Sequence, residues 1–353
     1  MDPGTCRNLP STPAFAGTIS SSIDSKNPMG RLSVIEKEKL VSKSLSTFVK
    51  NGDTAGFLEL EATLLAESAK EWAPLINSYR ALLKFEEMAR EAGLEEQYRP
   101  KMWWMRSPYP GNFGDILTPY VLWHAFGVMP RWASSNQAEG LCIGSIAKFA
   151  RPGVRLWGTG MPRPSDPLCP TAIYAAVRGP LSRDAVLAAG GECPEIYGDP
   201  AVLLPELFTP ETTKTHKVGI IAHVLQEAEV RAAVDKLDAK HIKVISLLAA
   251  SFEDIERVIA DIVSCEEIVT TSLHGLIVSH AYGIPAQYMN LNGETNSFKM
   301  QDYKMSVGLS DAALRGMREF TDLKWLDARQ CVLPPSRIDT AALRSAFPFP
   351  TRL

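Results

Sequence analysis

Several features that would place this chain in a broad class are absent from its sequence. No apolar run approaches the roughly 20 residues of a membrane-spanning helix, and no basic stretch followed by an apolar core stands near the N-terminus. The six cysteines are scattered, without a Cys-x-x-Cys pair or zinc-type spacing, which indicates free thiols in a reducing compartment. We therefore expect a cytoplasmic protein, with peripheral association at the inner face of the membrane left open.

Charge and cofactor signatures are missing as well. The formal net charge is only −3, so nothing electrostatic favours a nucleic-acid partner. No Gly-x-Gly-x-x-Gly fingerprint is present, and no Asp-x-Asp pair is placed to hold Mg²⁺ against a diphosphate. The sequence thus predicts neither a dinucleotide cofactor nor a metal, and it carries no signal for an oligomeric state.

The 353 residues, 45% of them hydrophobic, suffice for two domains and further elements. Residues 1–31 are rich in Ser, Pro, Gly and Thr without periodicity and predict a flexible leader. Residues 32–100 show helical periodicity and predict an appendage of two to four helices, with a break at Asn51-Gly52.

From Met102 the sequence alternates short strands with helices, which is typical of βα units and a mostly parallel sheet. A first Rossmann-like domain at 101–212 has predicted strands at Trp103–Arg106, Val154–Trp157 and Ala172–Val177. After a Pro/Thr-rich linker at 208–215, a second domain at 213–335 has predicted strands at Lys217–Val224 and Ile242–Leu247 and helices at 227–238 and 253–264. Residues 336–353 are predicted to form a tail or helix. The expected fold is α/β and GT-B-like, with two Rossmann-like domains facing a cleft.

The strongest candidate site lies in the segment Glu267–Pro285, which passes from an apolar strand into an apolar helix. His274 stands at the helix start, where free N–H groups favour an anion. A histidine there can also serve as a simple cap, but the hydroxyls of Thr270, Thr271 and Ser272 stand beside it. His280, inside the helix, is predicted to be structural.

Two further motifs offer charged side chains at the ends of strands or the starts of helices. Arg178 ends a predicted strand before Gly179-Pro180, which suits capture of a carboxylate or phosphate, or else a surface ion pair. Asp115 follows Asn112 in a glycine-punctuated loop and is either a helix cap or a base that Asn112 orients.

Other polar residues have weaker support. Asp199 is either a residue that forms a turn or a residue that lines the cleft, and we interpret it as structural. Lys299 and Lys304 follow a Gly/Asn-rich loop and are either solvated or brought over the cleft to neutralise a phosphate.

Five motifs, in their order along the chain, resemble those of a known protein family. They are Gly111-Asn-Phe-Gly-Asp115, Ala176-Val-Arg-Gly-Pro180, Tyr197-Gly-Asp-Pro-Ala201, Thr271-Ser-Leu-His-Gly275 and His280-Ala-Tyr-Gly-Ile-Pro285. In this order they resemble the polysaccharide pyruvyl transferase family over about 100–310. Phe298-Lys299 and Ser306-Val-Gly308 look like its bacterial exopolysaccharide branch, whose members cap xanthan- and succinoglycan-type sugars.

The resemblance implies transfer of a pyruvyl group from phosphoenolpyruvate onto two hydroxyls of one hexose, in a polysaccharide, capsule or lipid-linked precursor, as a cyclic ketal. It implies an acceptor-side first domain, a donor-side second domain, and donor binding or catalysis by Arg178 and His274. Chemically, the reaction needs an acid, an anion clamp and a base. The assigned catalytic residues are His274, Asp115 and Arg178. The assigned substrate-binding residues are Asn112, Arg178, Thr271, Ser272, Leu273, Gly275 and Lys299.

Two other functions compete with this interpretation. A nucleotide-sugar glycosyltransferase of the same architecture needs donor contacts to a ribose, often from carboxylates, yet no acidic residue occurs between Val269 and Tyr288. A non-catalytic partner in glycan assembly would use the helical region for docking. Such a copy would usually have lost Arg178 or His274, and both are present.

Overall fold

The structure is a computed structural model that describes residues 33–222, 226–290, 298–310, 314–315 and 323–353. The predicted leader, residues 1–31, lies outside the described residues. The chain forms two compact units, Met1–Tyr79 and Arg80–Leu353. Within the described ranges, no helix combines the length and apolar character needed to cross a membrane.

The described part of the first unit is helical, as the sequence predicts. Helix α1, Val34–Asn51, begins at a capping box formed by Ser33 and Glu36. It ends at the predicted break, where Gly52 takes the left-handed conformation with φ 65°. Helix α2, Thr54–Glu91, runs into the second unit and is interrupted at Ser68, whose φ and ψ of −161° and 96° are not helical.

The first sheet of the second unit is parallel and has the order β2-β1-β3-β4-β5. Its strands are β1 Lys101–Met102, β2 Arg131–Trp132, β3 Gly140–Leu141, β4 Arg155–Trp157 and β5 Ile173–Ala176. The predicted strands at 154–157 and 172–177 are confirmed by β4 and β5. The sequence did not indicate β2 and β3, because two-residue strands are too short to show a periodic pattern.

The predicted first strand at Trp103–Arg106 is wrong. The strand ends at Met102, and Trp103 adds only a hydrogen bond from its N–H to the carbonyl of Gly140. Beyond that point Trp104 is fully buried outside the sheet. The apolar run therefore reflects the burial of Trp104, and not strand pairing, while Met105 is exposed.

The second sheet is also parallel and has the order β10-β9-β8-β6-β7. Its strands are β6 His216–Ile221, β7 Ile242–Val244, β8 Cys265–Thr270, β9 Ala286–Asn290 and β10 Leu314–Arg315. β6 and β7 confirm the two predicted strands, although both are shorter than predicted. Part of the predicted strand, residues 223–224, lies outside the described residues.

Helices cover the sheets of this unit. They are α3 Phe113–Phe126, α4 Pro180–Ala188, α5 Leu204–Leu207, α6 Glu227–Lys236, α7 Phe252–Val263, α8 Leu273–Ala281, α9 Phe298–Ser306 and α10 Thr340–Ser345. α6 and α7 match the helices predicted at 227–238 and 253–264. α7 buries Ile255, Val258, Ile259 and Ile262 on one face, as its periodicity indicates.

Three segments link the regions around the two sheets. Residues 208–215, the predicted linker, contain neither helix nor strand. The backbone around Gly111 exchanges hydrogen bonds with the segment after β7: the N–H of Phe113 donates to Leu247, and that of Ala249 donates to Gly111. α10 returns to the first sheet, where Trp157 Nε1 donates to the carbonyl of Leu343 at 2.8 Å. The α/β class with parallel sheets is thus confirmed.

Candidate active site

Charged side chains from both sheet regions converge in the second unit. From the first region come Asp115 at the start of α3, Arg178 just after β5, and Asp199 before a short 3₁₀ helix. From the second come His274 in the first turn of α8 and Lys299 and Asp302 on α9. The sequence placed Asp115, Arg178, His274 and Lys299 in one site, and electrostatic interactions connect all four in the structure.

His274 is held at the start of α8 by its neighbours along the chain. Ser272 caps the helix, with its hydroxyl accepting from the N–H of Gly275 at 3.3 Å. The hydroxyl of Thr270 accepts from the N–H of Ser272 at 2.9 Å, which fixes the turn between β8 and α8. Since the helix itself is buried, only 7% of His274 is exposed.

Asp199 lies directly beside this imidazole. Its Oδ2 is 3.4 Å from His274 Nε2, and its side chain is completely buried. Its Oδ1 accepts from the N–H of Ala201 at 3.0 Å and so caps the 3₁₀ helix Pro200–Leu203. Among the described residues, neither Asp199 Oδ2 nor His274 Nε2 has a hydrogen-bond partner of good geometry. Asp199 is therefore both a turn former, as interpreted from the sequence, and a neighbour of the candidate catalytic histidine.

Asp115 is a half-buried carboxylate that faces these groups from α3. Asn112 Nδ2 donates to its Oδ2 at 3.0 Å. Burial raises the pKa of Asp115 above its ordinary value, while Asn112 and the nearby His274 oppose that change. Asn112 is the N-cap residue of α3, and its side chain makes no capping bond. Both residues thus turn their side chains to each other instead of to the helix end.

Gly114 explains how α3 and α8 approach so closely. A Cβ atom at this position would overlap the ring of His274, with Nδ1 as its nearest atom. Only glycine therefore leaves room for the imidazole against the first turn of α3.

Arg178 is fully buried and is engaged by the protein. Its Nε donates to Asp302 at 3.0 Å, one terminal nitrogen to Ser145 Oγ at 2.8 Å and the other to the carbonyl of Met161 at 2.8 Å. Burial lowers the pKa of this guanidinium, and the charge of Asp302 opposes the change. The surface ion pair considered from the sequence is wrong, because the partner is a buried carboxylate on α9.

Asp302 also binds the start of α4. It accepts from the N–H of Ser182 at 2.9 Å and from the Ser182 hydroxyl at 2.6 Å. A Cβ on Gly179 would overlap the backbone of Asp302, so this glycine lets α9 rest against α4. The sequence analysis missed Asp302. Its available signal was the i, i+3 spacing from Lys299, which places both on one face of a helix.

Lys299 interacts both with Arg178 and with Asp115. Burial lowers the pKa of its ammonium group, the nearby Arg178 lowers it further, and Asp115 opposes both. The pKa values of Asp115 and Lys299 thus shift towards each other, as is common for groups at functional sites.

The remaining predicted substrate-binding residues surround the start of α8. The Thr271 hydroxyl oxygen is buried without a hydrogen-bond partner in the described part of the chain. Ser272 is the helix cap, Leu273 is 4% exposed, and Gly275 packs against the Thr270 side chain. His280 is structural as predicted, since its Nδ1 lies 2.9 Å from the hydroxyl of Tyr303.

Across the residues that the structure describes, no three His, Cys, Asp or Glu side chains are grouped so as to hold a metal ion. The titratable groups that meet at this site are two carboxylates, an imidazole and an ammonium group. The buried ion pair of Arg178 and Asp302 lies next to them. Such a set can donate and accept protons and can neutralise an anion.

Comparison with known proteins agrees with the motifs. Residues 172–290 match the polysaccharide pyruvyl transferase family. The resemblance inferred from the sequence is confirmed by this match, which includes Arg178, Asp199 and His274. Asp115, Lys299 and Asp302 of the candidate site lie outside the matched segment.

One curated relative is an uncharacterised protein of Acanthamoeba polyphaga mimivirus, 26% identical over 175 residues. The alignment covers 47% of this chain and 59% of that protein, so the chain spans less than two thirds of its relative's length. No solved structure matches the chain.

Proposed function

We propose that this chain is a pyruvyl transferase that moves the pyruvyl group of phosphoenolpyruvate onto two hydroxyls of one hexose in a polysaccharide or its lipid-linked precursor. The observation that carries the proposal is the meeting of Asp115, Asp199, His274 and Lys299 in one site that overlaps the family match. In a GT-B-like arrangement this site lies in the cleft between two Rossmann-like domains, with 101–212 on the acceptor side and 213–335 on the donor side.

The donor is a trianion at most, so it needs positive charge and N–H donors. The start of α8, with the unpartnered hydroxyl of Thr271, supplies a site for the phosphate. Lys299 neutralises the second anionic group, and Arg178 adds positive potential from the wall of the site. Asn112, Ser272, Leu273 and Gly275 shape the surrounding surface.

In the first step, protonated His274 delivers a proton to the methylene carbon of phosphoenolpyruvate. Positive charge develops at the adjacent carbon, and a sugar hydroxyl attacks it while Asp115 accepts the hydroxyl proton. The raised pKa of Asp115 makes it a stronger base than an exposed carboxylate.

In the second step, Asp115 returns its proton to the departing phosphate oxygen. The second hydroxyl then attacks the same carbon and releases its proton to His274. One proton ends in the new methyl group and one on inorganic phosphate, so both residues regain their starting states. No redox change occurs.

The test is incubation of the protein with phosphoenolpyruvate and a panel of lipid-linked and nitrophenyl hexosides. We expect a pyruvyl mass increment on one acceptor together with released phosphate. Release of a nucleoside diphosphate from a nucleotide sugar would instead indicate a glycosyltransferase, and no turnover with any donor would favour a non-catalytic partner in glycan assembly. A cytoplasmic location, where phosphoenolpyruvate is made, belongs to this proposal.

A further inference from the structure

We infer that Asp199 is a positioning residue that fixes the tautomer of His274, so that Nδ1 is the nitrogen that exchanges protons with substrate. The first support is proximity, because Asp199 Oδ2 lies 3.4 Å from Nε2 and neither atom has a hydrogen-bond partner within the described ranges. An ionised carboxylate only accepts hydrogen bonds, so a hydrogen bond formed across this short gap places the proton on Nε2. Nδ1 is then free of a proton in the neutral ring.

The second support is that the two carboxylate oxygens of Asp199 face different groups. Oδ1 accepts from the N–H of Ala201, and this bond sets the orientation of the carboxylate plane. Oδ2 is therefore directed to the imidazole by the local backbone. The opposite edge of the ring, at Nδ1, lies against Gly114 at the start of α3, next to the proposed base Asp115.

Charged groups from several elements surround Asp199 and His274. Arg178 interacts favourably with Asp199 from the end of β5, and Asp115 on α3 opposes it. Cys142 is a buried neighbour whose pKa is raised by burial and by Asp199, so this thiol is neutral and adds no negative charge. Lys299 on α9 interacts with Arg178 and with Asp115. His274 is thus the group that Oδ2 can bind directly.

Replacement by asparagine gives a sharp test, because the cap determines which way the amide points. In Asp199→Asn, the amide oxygen keeps the bond from Ala201, and the NH₂ group takes the place of Oδ2. It then donates to Nε2, which forces the proton onto Nδ1. The variant keeps its cap and its volume and reverses the tautomer.

The experiment is nitrogen-15 NMR of the full chain labelled at histidine, with His274 assigned from the signals lost in His274→Gln. At a pH where the ring is neutral, we expect Nε2–H in the wild type and Nδ1–H in Asp199→Asn. The matched control is Asp339→Asn, because Asp339 also caps a helix through Oδ1, on the N–H of Ala342 at 2.9 Å. Its spectrum should match that of the wild type.

The inference rests on the proposed function only for its kinetic part. If pyruvyl transfer occurs, Asp199→Asn should lower kcat by about 10²-fold or more with little change in KM, as removal of a proton-transfer group does. The tautomer measurement needs no substrate. An Nδ1–H or mixed tautomer in the wild type overturns the inference even if the variant does not fold, and so does an unchanged tautomer in the variant. A correct tautomer pattern without pyruvyl transfer supports the Asp199 assignment and removes the proposed function.

Discussion

At the scale of a single residue, the charged form of Asp115 is proposed to serve the reaction and at the same time lowers the stability of the fold. Its pKa is raised because burial penalises the charge more than Asn112, His274 and Lys299 favour it. A raised carboxyl pKa means that the folded state binds a proton more tightly than the unfolded chain. The contribution of Asp115 to the free energy of unfolding is therefore most favourable at low pH and falls as the pH rises from about 4 through the folded pKa.

Asp115→Asn should accordingly unfold at a higher temperature than the wild type at neutral pH. The gain should shrink as the pH approaches about 4, where the unfolded carboxyl also holds its proton. Pyruvyl transfer should be lost at every pH, because an amide is no base. Thermal unfolding across this range is the measurement, with Asp235→Asn, at an exposed site on α6, as the control. Destabilisation at neutral pH would contradict the argument.

His274→Ala should abolish turnover and leave the fold intact. A loss of about 10²-fold or more in kcat is the scale for removing a general acid. Circular dichroism and unfolding temperature check the fold, and His241→Ala, at an exposed position, is the control. A near-normal rate would remove His274 from the proposed chemistry, and since Ser272 already caps the helix, His274 would then be a packing residue.

Asp302→Ala should instead lower stability strongly. It leaves the fully buried guanidinium of Arg178 without its partner and removes two acceptor bonds to Ser182. Breaking such a pair costs about 3–5 kcal/mol. Urea unfolding measures it against Glu195→Ala, which removes the exposed partner of Arg183 and should cost less than about 1 kcal/mol. Equal losses in the two variants would show that Arg178 finds another partner.

At the scale of elements, the site depends on the approach of α3 to α8. Alanine favours a helix by about 1 kcal/mol over glycine, so Gly114→Ala should stabilise α3 by propensity alone. Its Cβ, however, overlaps the His274 ring. We expect a marked loss of kcat from a displaced imidazole, without unfolding.

A double-mutant cycle tests whether Gly114 acts through His274. If it does, Gly114→Ala combined with His274→Ala should be no less active than His274→Ala alone. Additive losses would place the effect of Gly114 elsewhere in the site.

At the scale of the whole molecule, the proposed chemistry uses groups of the protein alone. In the proposed mechanism Lys299, Arg178 and the start of α8 neutralise the donor, so activity should survive chelation of divalent ions. Nucleotide sugars should neither serve as donors nor inhibit strongly. Phosphate release is measured with and without a chelator, and the reference is the same reaction with added Mg²⁺. If the chelator abolishes activity and added Mg²⁺ restores it, the result favours the glycosyltransferase interpretation instead.

The sequence by itself determined the local elements. Capping at Ser33, the break at Gly52 and the periodicity of α7 follow from interactions within a few residues. The same holds for His274 at a helix start after a buried strand. Very short strands and the true end of β1 escaped prediction, because their limits depend on neighbouring strands that are distant in sequence.

Only the tertiary structure decided which charges meet. Arg178 and Asp302 are separated by 124 residues, and their hydrogen bond exists because α9 packs against α4. Asp199 faces His274 because two separate βα regions bring their loops together. The sequence motifs indicated which side chains take part in the proposed chemistry. The close packing of helices at Gly114 and Gly179 determined which other side chains they contact. Burial, which sequence pattern cannot quantify for a single carboxylate, then set the pKa of Asp115.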